Sequence, residues 1–310
     1  MRPPSRLFCL DTVMIDIVMR VTALPISGAD ALADDRLITT GGGYNAMSAA
    51  SRQGMRALYA GRLGTGPFGD TARSALDRDQ IVYPLEVNAD LDNGFCVVLV
   101  EPSGERTFIT SPGAESTLRA SDLVSLDVRA GDVVLVSGYN VMYPGSAELT
   151  LEWIESLDAD VLIAFDPSNR VTDIEPHCLA RMAARTDWLV CNEIEASSLS
   201  GVPGVDEAAR FLARSMSRVG VVVRHGATGC TLCLAGDTPV SVAGFTTTVV
   251  DTNGAGDTHS GVFFAELTRG STPLESARRA NAAAAVAIGD FGPATCPSRE
   301  VLTKWIASRS

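Results

Sequence analysis

The sequence predicts an α/β protein built on a buried, mostly parallel sheet. Three observations carry this. Beyond residue 115, short β-branched runs alternate with helix-like segments, which implies right-handed crossovers returning to one sheet. Two glycine turns, at Gly41-Gly42-Gly43 and at Gly254-Ala255-Gly256, each open onto a helix-like stretch of small residues. The segment from Asn93 to Thr110 alternates like a hairpin and is interrupted only by Pro102-Ser103-Gly104.

In chain order, Leu7 to Val13 reads as the first strand, and the apolar run Met14 to Met19 that follows contains one carboxylate, Asp16. A helix runs from the first glycine turn to Gly54, and Ala57 to Ala60 is strand-like. In the hairpin, Phe95 to Val100 goes out and Glu105 to Ile109 returns; Phe95 and Phe108 share a face only if the turn preserves register. Then come a strand at Val133 to Val136, a helix at Ala147 to Ser156, a strand at Val161 to Phe165, a helix at Pro176 to Ala184, and strands at Trp188 to Val190 and Val219 to Val223. Thr246 to Val250 reads as a further strand feeding the second glycine turn, whose helix continues through Gly261 to about Gly270. Ser276 to Ile288 is an Ala-rich helix interrupted by Asn281. The connections Ser137-Gly138-Tyr139-Asn140 and Asp166-Pro167-Ser168-Asn169-Arg170 leave strand C-termini, where open α/β sheets bind ligands.

With 310 residues and 46% hydrophobic content the chain can bury a sizeable core. No apolar run approaches the roughly 18 residues of a membrane span, and the start, Arg2-Pro3-Pro4-Ser5-Arg6, is charged too early for a secretory signal, so a cytoplasmic protein is expected. A net charge of −12 argues against a nucleic-acid surface. The seven cysteines are scattered; Cys230 and Cys233 have CxxC spacing but lie in an apparent strand with no second pair nearby, so buried thiols are expected.

Chemistry is concentrated in Asp251-Thr252-Asn253-Gly254-Ala255-Gly256-Asp257. A helix beginning at bare backbone offers unpaired N–H groups and the positive end of its dipole to an anion, and small residues let phosphate oxygens come close. A carboxylate at that mouth repels phosphate, so Asp257 either accepts a hydroxyl proton during phosphoryl transfer or caps the helix. On spacing the two readings carry equal weight.

This motif resembles the C-terminal signature of the ribokinase-like (PfkB) carbohydrate kinases, and further stretches match that family in order from Asp16 to the final helix. The resemblance implies a single domain over 1–310, a three-layer α/β/α sandwich with a small β-sheet lid formed by segments of about 12–40 and 92–112, and commonly a dimer through the lids. It implies that Gly254, Ala255 and Gly256 form the anion hole and that Asp257 is the base. It places Asp16 on two sugar hydroxyls, and Gly42, Gly43 and Asn45 at the acceptor sugar, although Thr40 stands where the family's first glycine is usual. Arg106 in the lid and Asn140 after a strand are further acceptor-side positions, and Arg106 suits a solvated edge somewhat better than a ligand contact.

On the nucleotide side the resemblance implies Asn192, Arg224, Gly226, Gly229 and Asn281, with Asn281 beside adenine. Asn192 and Glu195 have the family's NxxE spacing for organising Mg2+, although Asn and Glu at a helix start commonly cap it. Asp251 and carbonyls of the loop from Gly289 to Cys296 are the family's place for a monovalent cation, K+. His259 lies in the catalytic helix and has a better prospect of touching substrate than His225.

The expected activity is ATP-dependent phosphorylation of a hydroxyl of a small sugar; the alternative within the family is a nucleoside kinase. Two readings of a different class are a non-catalytic sugar-binding protein and a dehydrogenase using Gly64-Thr65-Gly66-Pro67-Phe68-Gly69, a GxGxxG match in which Pro67 and Phe68 fit a pyrophosphate poorly.

Overall fold

A computed structural model describes residues 4–309. The Arg2 and Pro3 part of the start considered above lies outside them. Eight strands form one sheet in the order β12-β11-β10-β9-β8-β7-β1-β4: β1 (Arg6–Leu10), β4 (Arg56–Tyr59), β7 (Val133–Ser137), β8 (Leu162–Asp166), β9 (Trp188–Asn192), β10 (Gly220–Arg224), β11 (Gly229–Leu234) and β12 (Val240–Ala243). Pairing is parallel from β4 to β10 and antiparallel at β11 and β12.

Strand residues alternate between two cores. Cys9, Leu135, Val190 and Val222 join the core that holds helices Tyr44–Arg52, Ala255–Arg269 and Pro273–Ala287, whereas Phe8, Val134, Leu189 and Val221 join the core beneath helices Pro144–Ser156, Pro176–Arg185 and Val205–Ser215. A sheet buried on both faces explains why the strands read as continuous apolar runs, as in Val133–Ser137, where every residue is buried. The result is helix, sheet, helix.

A second, four-stranded sheet has the order β3-β2-β5-β6, from β2 (Val13–Val21), β3 (Ala33–Gly42), β5 (Phe95–Val100) and β6 (Arg106–Ser111). The expected first strand therefore divides: Leu7 to Leu10 belongs to the large sheet, Asp11-Thr12 breaks the ladder, and Val13 onward belongs to the small one. Register places Asp16, Cys96 and Thr110 side by side on one face, together with Val18, Val98 and Phe108, while Ile15, Phe95 and Ser111 lie on the other. Phe95 and Phe108 thus point to opposite faces. Phe95 packs on Phe68 with ring centroids 5.3 Å apart, and Phe108 is half exposed on the Asp16 face.

Two other expectations are corrected, and the poor fit expected of the GxGxxG segment is found. Thr246 to Val250 is not a strand; its exposed β-branched residues lack a sheet neighbour, and the N–H groups of Val250 and Asp251 donate to the Ile288 carbonyl at a helix end. The helix expected from Ser276 starts at Pro273, with Thr272 and Glu275 capping each other. The GxGxxG segment opens helix Pro67–Arg78, whose start is already filled: the Asp92 carboxylate accepts from Phe68 N at 3.1 Å and Gly69 N at 2.6 Å, leaving no place for a pyrophosphate. Cys230 and Cys233 sit three apart on β11, hence on opposite faces, and all seven cysteines are buried and free.

Candidate active site

The two glycine turns meet at the C-terminal end of the parallel strands. Helices Tyr44–Arg52 and Ala255–Arg269 cross backbone to backbone at Gly261, where an added Cβ would lie 2.2 Å from the Ala46 carbonyl oxygen and 2.9 Å from Ala49 Cβ. That closeness sets the next contact: Asn45 Nδ2 donates to Asp257 Oδ2 at 3.0 Å. Gly254 precedes the second helix in the left-handed region at φ 70°, a conformation that costs little only for glycine. Asp257 stands in that helix's first turn, and burial, then Asp166, raises its pKa to about 6 against the opposing pull of Asn45 and Arg224.

The first glycine turn runs between carboxylates. A Cβ on Gly41 would come within 2.2 Å of Asp16 Oδ2, and one on Gly43 within 2.8 Å of Asp11 Cβ and 3.3 Å of Asp11 Oδ2. Gly42, at φ 65°, would place its Cβ 2.1 Å from the Thr12 carbonyl oxygen. Burial and the nearby Asp257 charge push Asp16 up to about 6. Asp166, in a connection expected at a ligand-binding strand end, and Asp11, which the sequence reading passed over, complete the group; the signal of each is its place at, or just past, a strand C-terminus. Burial raises Asp11 to about 7.

Arg224 ends β10 and is the cation among these acids. It donates to Gly256 O at 3.2 Å, Ser260 Oγ at 2.8 Å and Asp166 Oδ2 at 3.1 Å, and lies 3.9 Å from Glu195 Oε2. Asn192 and Glu195 form a reciprocal cap, each backbone N–H donating to the other's side chain at 2.8 Å, so the ordinary capping geometry is present. Glu195 is buried nonetheless, and burial, then Asp166, raises it to about 7. Asp166 is engaged on both oxygens, Oδ1 by Ser168 N at 3.2 Å and Oδ2 by Arg224, whereas only Oε2 of Glu195 accepts a hydrogen bond among the described residues, so Glu195 is the hard-oxygen donor that fits Mg2+.

Asp251 differs. Its Oδ1 accepts from Asn253 N at 2.9 Å and from the Arg106 guanidinium, and its Oδ2 accepts from Gly292 N at 3.2 Å. The carboxylate is already neutralised and ligated on both oxygens, so it does not fit as a ligand for a monovalent cation. Arg106 reaches it from the lid and is no solvated edge residue. Two further contacts seat the lid on the same loop: Arg20 lies over the Phe291 ring at 5.0 Å, and a Cβ on Gly292 would lie 3.2 Å from Leu37 Cδ2.

The remaining candidates scatter. Asn140 is buried on the short helix Gly138–Met142 with Oδ1 unpartnered, and among the described residues no hydrogen bond joins it to Asp16, Asn45 or Asp257. Asn281 Nδ2 donates to the carbonyls of Val242 at 2.9 Å and Ala243 at 3.2 Å, tying its helix to β12. Gly229 permits the close approach of β11 to β12, with a Cβ there 2.1 Å from Val242 O, whereas Gly226, at φ 64°, faces open space. His259 is buried, stacks on Phe263 at 6.4 Å, and is held neutral, its pKa pushed down to about 3 by burial and by Arg224.

A carboxylate at the mouth of a glycine-built helix start, under a β lid on an α/β core, defines a phosphotransferase site of the sugar-kinase class. The chain belongs to the pfkB family of carbohydrate kinases, whose pattern matches residues 4–300. It is 32% identical over 294 residues to an uncharacterised sugar kinase, YegV, of Escherichia coli strain K12, covering 93% of this chain and 90% of that one. In fold it is similar to a ribokinase from Giardia lamblia, with a TM-score of 0.85 at 21% identity and coverage of 97% and 99%, and to an adenosine kinase from Sinorhizobium meliloti, with a TM-score of 0.84 at 21% identity and coverage of 98% and 100%. Among the described residues no helix is long and apolar enough to cross a membrane.

Proposed function

We propose that this kinase transfers the terminal phosphoryl group of ATP to a hydroxyl of a small sugar, with Asp257 as the general base. The observation that carries this is the Asn45–Asp257 contact at the helix start Gly254-Ala255-Gly256: it fixes a carboxylate beside an anion hole, where an acceptor hydroxyl could give up its proton as its oxygen attacks. The N–H groups of Ala255 and Gly256 face the charge that develops on the transferred group. Asp16, Gly42, Gly43 and Asn45 hold the acceptor. Arg224, Gly226 and Gly229 lie on the nucleotide side, and Asn281 supports the strand end there.

Mg2+, held through Glu195, would neutralise phosphate charge. Arg106 acts through Asp251: it ties the seated lid to the loop that carries the anion hole, closing the site against water. We further propose a homodimer through the lids. The row Ile38, Ile17, Val97 and Ile109 crosses all four lid strands on the face opposite Asp16, and Ile38 and Ile109 are more than half exposed. A cytoplasmic setting is supported by the seven free thiols.

The test is a coupled assay of ADP release over a panel of sugars and nucleosides. Acceptor-dependent release with a sugar is expected; failure of every acceptor in the panel to raise release would end the kinase reading, and release with nucleosides alone would move it to the nucleoside kinases.

A further inference from the structure

The acceptor pocket is lined by groups that receive hydrogen bonds. Asp16 and Asp11 flank the first glycine turn at Gly41 and Gly43, and Asp257 closes the third side. Asn45, 3% exposed, uses Nδ2 on Asp257 and leaves Oδ1 buried without a partner. A buried acceptor atom left unpaired is costly, so this arrangement calls for donors from a ligand. Asp11 receives Thr12 N on Oδ1 at 2.7 Å and a hydrogen bond from the Ser137 side chain, two donors for a carboxylate with about four acceptor sites. A Cβ on Gly43 would lie 3.3 Å from Asp11 Oδ2, which puts that oxygen against the first glycine turn beside Asn45.

The nearby cations are already engaged. Arg106 is bound to Asp251, and Arg224 to Asp166, Ser260 and the Gly256 carbonyl. An anionic acceptor would meet three carboxylates, and the charges of both nearby guanidinium groups are already countered by acids, Arg106 by Asp251 and Arg224 by Asp166.

We infer that Asp11 is a second hydroxyl-binding carboxylate of the acceptor site, and that the acceptor is an uncharged polyhydroxylated sugar, not a sugar phosphate or a sugar acid. This rests on the kinase reading above. Several adjacent hydroxyls supply the donor that Asn45 Oδ1 lacks and fill the acceptor sites left on Asp11 and Asp16, and the hydroxyl nearest Asp257 is the one phosphorylated.

The experiment measures ADP release with neutral pentoses, hexoses and ketoses against their phosphorylated and carboxylated counterparts, followed by kinetics of Asp11→Asn with the best neutral acceptor. Turnover confined to neutral sugars is expected. Asp11→Asn should raise the acceptor KM about 10- to 100-fold, with kcat within about threefold and the KM for ATP unchanged. A fold-supporting role would lower the melting temperature and disturb both substrates alike. Preferred turnover of an anionic sugar, or an unchanged acceptor KM in Asp11→Asn, overturns the inference while leaving the kinase reading intact. If no acceptor of either charge raises release above the acceptor-free rate, the kinase reading itself is overturned.

Discussion

Asn45 Nδ2 and Asp257 Oδ2 lie 3.0 Å apart although the residues are 212 positions apart in the chain. The contact exists because Gly261, one helical turn beyond Asp257, lets the two glycine-turn helices touch backbone to backbone. It also opposes the effect of burial on Asp257, since a donor to a carboxylate favours its charged form.

Asn45→Ala should therefore shift the acid limb of the pH–rate profile to higher pH and lower kcat about tenfold, through the lost alignment of the base. Profiles of both proteins with a shared acceptor check this. An unmoved limb would show that Asn45 does not act on Asp257.

In the wild type, kcat/KM should fall as pH drops through about 6, where Asp257 takes up its proton. Stability runs the other way. Asp11, Asp16 and Asp257 have folded pKa values above their ordinary 3.8, so the protonated forms favour the fold; their contribution is complete below about pH 4 and is lost as pH rises through 6 to 7. Asp11→Asn should stabilise the ligand-free protein at pH 8 by about 1–3 kcal/mol, and the gain should shrink toward pH 5. Denaturant melts at the two pH values measure it; a mutant less stable at pH 8 contradicts the assignment.

The lid register separates two phenylalanines. Phe108 shares the Asp16 face, so Phe108→Ala should weaken acceptor affinity and raise ATP hydrolysis without acceptor. Phe95, packed on Phe68, should instead reduce stability by about 2–4 kcal/mol when cut to Ala, with little effect on uncoupled hydrolysis. Identical behaviour of the two variants would mean the lid is not seated as described.

Because Arg106 neutralises Asp251, turnover in KCl and in choline chloride should agree within about twofold. Arg106→Gln should lose about 10- to 100-fold in activity and become dependent on K+, which can then compensate the freed carboxylate. Strong activation of the wild type by K+ would contradict the neutralised state of Asp251.

Much of this was legible in the sequence for physical reasons. The parallel strands are buried on both faces and so read as apolar runs, and the turn at Gly254 needs a conformation that glycine supplies. What was hidden depends on contacts between distant segments. Nothing local divides Leu7–Leu10 from Val13–Val21, because both are apolar and only pairing assigns them to different sheets. Thr246 to Val250 has strand composition but no neighbouring strand. Asp11 and Asp166 look like turn residues until the sheet aligns their strand ends, and the exposures of Phe95 and Phe108 follow from a register that the sequence left open. Asn192 and Glu195 show one spacing serving two purposes, since the cap that starts a helix also faces Glu195 toward Arg224.

The most direct test of the central claim is turnover and ATP affinity of Asp257→Asn, which keeps the shape and the contact with Asn45 but cannot accept a proton at neutral pH. The account predicts a loss of kcat of about 10²–10⁴-fold with the dissociation constant for ATP within about threefold of wild type. Near wild-type turnover would contradict it, because Gly254, and not Asp257, caps this helix and the carboxylate would be left without a task.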